Sequence, residues 1–142
     1  MRIFVDANII VSVLNKEYPL FTHASRIISL ADYKQFTVYT SPVCLAIAFY
    51  FAEKKFKASI AKQKISILCE NIEIAGASAE GVLSALKDNA VKDFEDGIEY
   101  YAALESNCDC IITEDVHDFY FSKIEVLKSK DFFLKYVSGK TH

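Results

Sequence analysis

Two prolines and four glycines are few for a chain of 142 residues. A loop-rich all-β module of roughly seven or eight short strands would need more turn-formers. Cysteine is sparse too. Cys44, Cys69, Cys108 and Cys110 make no C-x-x-C pair, and no histidine stands at zinc-site spacing. Buried thiols in a cytoplasmic protein are the expected state, with Cys108 and Cys110 pointing the same way if they sit on a strand. Long apolar runs are missing. Ile9 to Leu14 is interrupted by Ser12 and followed by Asn15, Lys16 and Glu17, which is too short for a membrane span and shows no secretory cleavage pattern. Basic charge is not in excess either: 16 Lys and Arg against 19 Asp and Glu give −3. That excludes a generally basic nucleic-acid-binding surface, though not a local patch.

Apolar residues are abundant at 52%, with 11 Phe and 8 Tyr. Such a composition excludes disordered, collagen-like and linker sequence. The length suits one domain, which at this size buries about two-thirds of its unfolded surface without staples. A single cytoplasmic domain over residues 1–142 is the expectation.

Short apolar runs alternate with helical patterns. Arg2–Val5 is β-favouring and runs into Asp6, and a helical pattern follows from Ala7 to Asn15. Tyr18-Pro19 opens a second helix with Phe21, Ala24, Ile27, Ile28 and Ala31 on one face. Phe36–Thr40 is a second strand, and Ser41-Pro42 supplies the N-cap and first position of a helical stretch from Val43 towards Leu68, with a break near Lys57. Asn71–Ala75 is a third strand. Ser78 caps a helix to about Leu86, another opens near Val91–Asp93 and ends near Glu105, and Asp109–Thr113 is a fourth strand. Ile124–Val126 is a fifth, and Ser129 caps a last helix through Tyr136. Alternation of this kind predicts a three-layer α/β/α sandwich around a mostly parallel sheet.

Ligands of such sheets gather beyond the carboxyl ends of the strands. Asp6 ends strand one, and Asp115 lies just past strand four. If those strands are neighbours, the two carboxylates converge. Asp93 and Asp96 share a helix face near its start, and Asp118 joins if its turn is helical. Carboxylates from three separated segments, without Cys or His ligands, suit a hard cation such as Mg²⁺ or Mn²⁺. Phosphoryl chemistry follows most readily from that metal.

The segments IFVDANIIVSVL, TSPVCLA and DFEDGIEYYAALESNCDCIITEDVHDF, in this order and spacing, resemble a PIN domain, most closely the VapC-type toxin nucleases of toxin–antitoxin pairs. The resemblance runs from Arg2 to about Phe132. It implies cation-dependent RNA cleavage by an acidic cluster, a homodimer and a cognate antitoxin. By position, Asp6, Asp96 and Asp115 match the catalytic and metal-binding acids. Asn8 and Thr113 match polar neighbours, and Asp118 with Phe119 matches the end of that loop. One position departs. The family's second acid stands six residues after the Ser that follows strand two, which is Ile47, and the nearest acid is Glu53. Asp93 or Glu95 would have to compensate. Otherwise the chain is a PIN-fold module that binds RNA or protein without cutting.

Each acid also has a plainer reading. Asp6 fits an N-cap worth about 1 kcal/mol, Asp96 a first-turn acid on the helix dipole, and Asp93 the cap of that helix. Glu95 reads as solvent-facing, and Asn8 and Thr113 as hydrogen-bond supports. Lys54, Lys55, Lys57, Lys62 and Lys64, interleaved with Phe56, form the one dense basic run; a solvated face is favoured over an RNA-binding one. A receiver-like domain and a D-x-D phosphatase fit less well, because Asp6-Ala7-Asn8 and Ala75-Gly76 lack their acids.

Overall fold

The computed structural model describes Met1–Ser138. Its elements run β1 (Arg2–Val5), α1 (Ala7–Asn15), α2 (Leu20–Ser29), β2 (Thr37–Thr40), α3 (Pro42–Lys55), α4 (Ala58–Cys69), β3 (Glu73–Ile74), α5 (Ala79–Lys87), α6 (Phe94–Glu105), β4 (Cys110–Ile112), β5 (Glu125–Leu127) and α7 (Ser129–Tyr136). The strands pair in the order β3-β2-β1-β4-β5, and every pairing is parallel. This is the three-layer sandwich expected, with a sheet that is wholly rather than mostly parallel.

The two central strands explain the pattern. Ile3, Phe4, Val5, Cys110, Ile111 and Ile112 are all fully buried, as continuous apolar runs covered on both faces must be. Each of the Ile, Phe and Val side chains among them contributes about 1.5–3 kcal/mol of burial. From β1 the chain moves outward to β2 and β3, then returns to β4 on the other side of β1. The strand order therefore reverses between β1 and β4, and a crevice opens at their carboxyl ends.

Helix starts follow local chemistry. Ser41 Oγ accepts from Cys44 N at 3.1 Å with Pro42 at the first turn, and Ser78 Oγ accepts from Gly81 N at 2.9 Å. The break between α3 and α4 falls at Phe56 and Lys57, as expected. Two expectations need correction. The third strand pairs only over Glu73–Ile74, an exposed sheet edge, rather than over Asn71–Ala75. Ser129 is not a cap: Lys128 holds that position, and Ser129 is the first helical residue. The Glu114 carboxylate takes the capping task, accepting from Ser129 N at 3.1 Å and Ser129 Oγ at 2.9 Å, where a helix start favours negative charge.

Gly97 sets how closely α5 and α6 approach. A Cβ there would stand 2.5 Å from Val91 Cγ1 and 3.1 Å from Ala85 Cβ. Its absence lets α6 seat its first turn, which carries Asp96. All four cysteines are free thiols; Cys44, Cys108 and Cys110 are buried as expected, whereas Cys69, at the end of α4, is only half-buried. Among the described residues, no helix is long and apolar enough to cross a membrane.

Candidate active site

Asp6 continues β1 into the crevice, its N–H donating to Ile112 O at 3.0 Å. It is both the cap of α1 and the centre of the acidic cluster. Oδ1 accepts from Ala7 N at 2.7 Å, while Oδ2 accepts from the Thr113 hydroxyl at 2.8 Å. Thr113 Oγ1 in turn accepts from Asp115 N at 3.1 Å and from Asn8 Nδ2 at 3.0 Å. Asn8 Nδ2 also lies 3.2 Å from Asp115 Oδ2, and Asn8 Oδ1 accepts from Glu114 N at 3.2 Å. The fully buried Thr113 and the half-buried Asn8 thus tie the ends of β1 and β4 together and hold the Asp6 and Asp115 carboxylates on either side of the Asn8 amide.

An open pocket of about 410 Å³ lies over this network. Asp6, Glu17, Glu95, Asp96, Asp115 and Asp118 line it, six carboxylates with no lysine or arginine among them. Asp96 comes from the first turn of α6, and Asp118 from a short 3-10 turn at Val116–Phe119. Asp93 does not line the pocket. Its side chain caps α6 by accepting from Asp96 N at 3.1 Å.

Crowding of like charge shows in the proton affinities. Burial first, then Asp93, Asp118, Asp6 and Glu95, push the Asp96 carboxyl up to about 7. Asp118 is raised by burial, then by Asp115, Asp6 and Asp93, with His117 pulling the other way. Glu95 is raised by burial, Asp93 and Asp6. An all-oxygen donor set whose members repel one another, with no basic side chain lining the pocket, suits a hard divalent cation. The oxygens of Asp6, Asp96 and Asp115 do not, however, all lie within 4.8 Å of one another.

Glu99, which the sequence reading did not single out, lies beneath Asp6. It is 1% exposed, and Asp6, Cys44 and Glu99 place ligand-capable atoms within 4.8 Å of one another. Burial and then the Asp6 charge push its carboxyl up to about 10. Cys44 Sγ stands 3.9 Å from Asp6 Oδ1, and burial raises its thiol well above the ordinary range, so no thiolate is on offer. The signal for Glu99 was its place one turn after Asp96, on a helix face otherwise made of Tyr100, Ala102 and Ala103. Glu17 was likewise missed, because nothing in its local sequence ties it to the strand ends.

Ile47 of α3 lines the pocket, so an apolar side chain stands where an acid was expected. Phe51, one turn on, lines it too and is 44% exposed. Lys54 Nζ lies 4.2 Å from the Tyr50 ring centre, and Lys64 Nζ lies 4.5 Å from that of Phe56. Part of the lysine run therefore rests on aromatic faces.

The model of the PIN domain matches residues 2–117. Ribonuclease VapC1 of Aquifex aeolicus is 28% identical over 135 residues, covering 92% of each chain. A solved structure of VapBC-1 from nontypeable Haemophilus influenzae superposes with a TM-score of 0.71 at 20% identity, covering 92% of this chain and 99% of that one. VapBC2 from Rickettsia felis, bound to a DNA fragment from their promoter, gives 0.68 at 20% identity, covering 90% and 98%. The likeness to these structures is one of fold. With the acidic crevice at the β1–β4 reversal and a family match over most of its length, this chain belongs to the PIN domain family.

Proposed function

We propose that this protein is a divalent-cation-dependent endoribonuclease, the toxin of a toxin–antitoxin pair. The observation that carries the reading is the pocket of six carboxylates without a basic residue, in a PIN domain chain with a VapC ribonuclease among its relatives. Asp6, Asp96 and Asp115 would hold Mg²⁺ or Mn²⁺. When bound, such a cation neutralises charge on the phosphodiester and makes a water more acidic. Thr113 and Asn8 keep the Asp6 and Asp115 carboxylates in one orientation, so little rearrangement precedes reaction. Asp118 and Glu95, which line the pocket outside that ligand set and whose carboxyls are both raised, would be the groups to accept a proton. Water would be the attacking group, and the buried Cys44 thiol, held protonated, takes no part in the attack.

Phe51 gives an exposed ring beside the acids on which an RNA base can stack, and Lys54 sits next to it. A cognate antitoxin, a homodimer and a cytoplasmic location complete the reading. The test is cleavage of an RNA pool by the parent and by Asp6→Asn and Asp115→Asn. Loss of cutting with an unchanged circular dichroism spectrum supports the assignment, and retained cutting refutes it. Ile47 favours a second reading, a PIN-fold module that binds RNA or protein without cutting it. An inactive parent that gains cleavage as Ile47→Glu would select that reading.

A further inference from the structure

Glu99 Oε2 is buried and has no hydrogen-bond partner among the described residues. Leaving a buried carboxyl oxygen unmet costs free energy, and a bound ion is one way to meet it. Its close neighbours are Asp6, which can accept a hydrogen bond from the protonated Glu99 carboxyl, and the Cys44 thiol; neither brings positive charge to the unmet oxygen. Cys44 is already directed at Asp6, its Sγ 3.9 Å from Oδ1. Meanwhile α3 turns Ile47 to the pocket and brings no acid there. The α6 helix supplies Asp96 and, three residues on, Glu99, a spacing that places both on one face.

We infer that Glu99 is a further acid of the cation site, delivered by α6 from beneath Asp6 in place of the carboxylate that α3 lacks at Ile47. The inference rests on the cation-dependent reading above. Asp6 is then shared between two sets of oxygens. Asp96 and Asp115 line the pocket on one side of it, and Glu99 lies in the core within 4.8 Å of it on the other. The ligands are oxygens only, which selects Mg²⁺ or Mn²⁺ over softer ions, and the protonated Cys44 thiol packs beside them without ligating.

The test is Mn²⁺ binding to the full chain by titration calorimetry and by the paramagnetic resonance signal of free Mn²⁺. Parent, Asp6→Asn, Glu99→Gln and the double variant Glu99→Gln with Ile47→Glu are compared. Glu99→Gln should weaken binding roughly 10- to 100-fold with an unchanged circular dichroism spectrum, and the double variant should regain part of the loss. Parent-like affinity in Glu99→Gln, with affinity lost in Asp6→Asn, overturns this inference alone. A parent that binds no Mn²⁺ overturns both the inference and the reading beneath it. If Glu99→Gln does not fold, Glu99→Asp replaces it: the shortened acid should weaken binding, and unchanged affinity overturns the proposal.

Discussion

Replacing Glu99 by Gln also isolates the electrostatic cost of the cluster when no cation is present. The group is 1% exposed, and burial followed by the Asp6 charge raises its carboxyl from an ordinary 4.5 to about 10. The folded protein therefore keeps a proton that the unfolded chain releases. Stability linked to this group is fully present below about pH 4.5 and is lost as pH rises towards about 10. By pH 7 the loss spans about 2.5 pH units at ~1.4 kcal/mol each, on the order of 3 kcal/mol. Gln is neutral at every pH and close in shape to the protonated acid. In EDTA, Glu99→Gln should match the parent near pH 5 and exceed it by on the order of 3 kcal/mol at pH 7. Urea unfolding followed by circular dichroism at a series of pH values measures the difference, with an unchanged slope as the check on two-state behaviour. Parallel stability–pH curves for the two proteins, or a variant less stable at pH 7, would refute the reasoning.

With Asp96 raised to about 7 and Glu99 to about 10, the Asp96 proton is isolated in Glu99→Gln, where Mn²⁺ affinity should fall about tenfold per pH unit below pH 7; calorimetry between pH 5.5 and 8 checks it, and a flat profile removes Asp96 from the ligand set. Thr113→Val deletes the hydroxyl that joins Asp6 Oδ2 to Asp115 N. It should lower Mn²⁺ affinity roughly 10- to 100-fold while thermal unfolding still shows a cooperative transition. Gly97→Ala forces a methyl group against Val91 and Ala85 and should cost about 1–3 kcal/mol in urea unfolding. Phe51→Ala should weaken binding of single-stranded RNA by about 1–3 kcal/mol in fluorescence anisotropy and leave Mn²⁺ affinity unchanged; equal loss of both would place Phe51 in the fold of the pocket rather than in RNA contact.

Much of the fold was legible because its central strands are continuous apolar runs. Arg2–Val5 and Asp109–Thr113 read as strands of a parallel sheet without any tertiary knowledge, and their adjacency then brings the Asp6 and Asp115 segments together. Ser41 and Ser78 were readable as caps because their partners lie three residues away in the chain. Ser129 was misread for the opposite reason: the carboxylate that serves α7 is Glu114, which local sequence cannot supply. Asp93 stood between cap and ligand, and its bond to Asp96 N places it at the helix start, outside the pocket lining. Glu99 escaped notice because an acid on a helix normally faces water. Only the packing of α6 over Asp6 turns it inward.

Cleavage of a mixed pool of structured and unstructured RNA, in Mn²⁺ or Mg²⁺ and again after EDTA, tests the central claim most directly. The account predicts cutting with the cation, none in EDTA, and recovery when excess cation is restored. Undiminished cutting in EDTA, or no cutting by a protein shown to bind Mn²⁺, would contradict it.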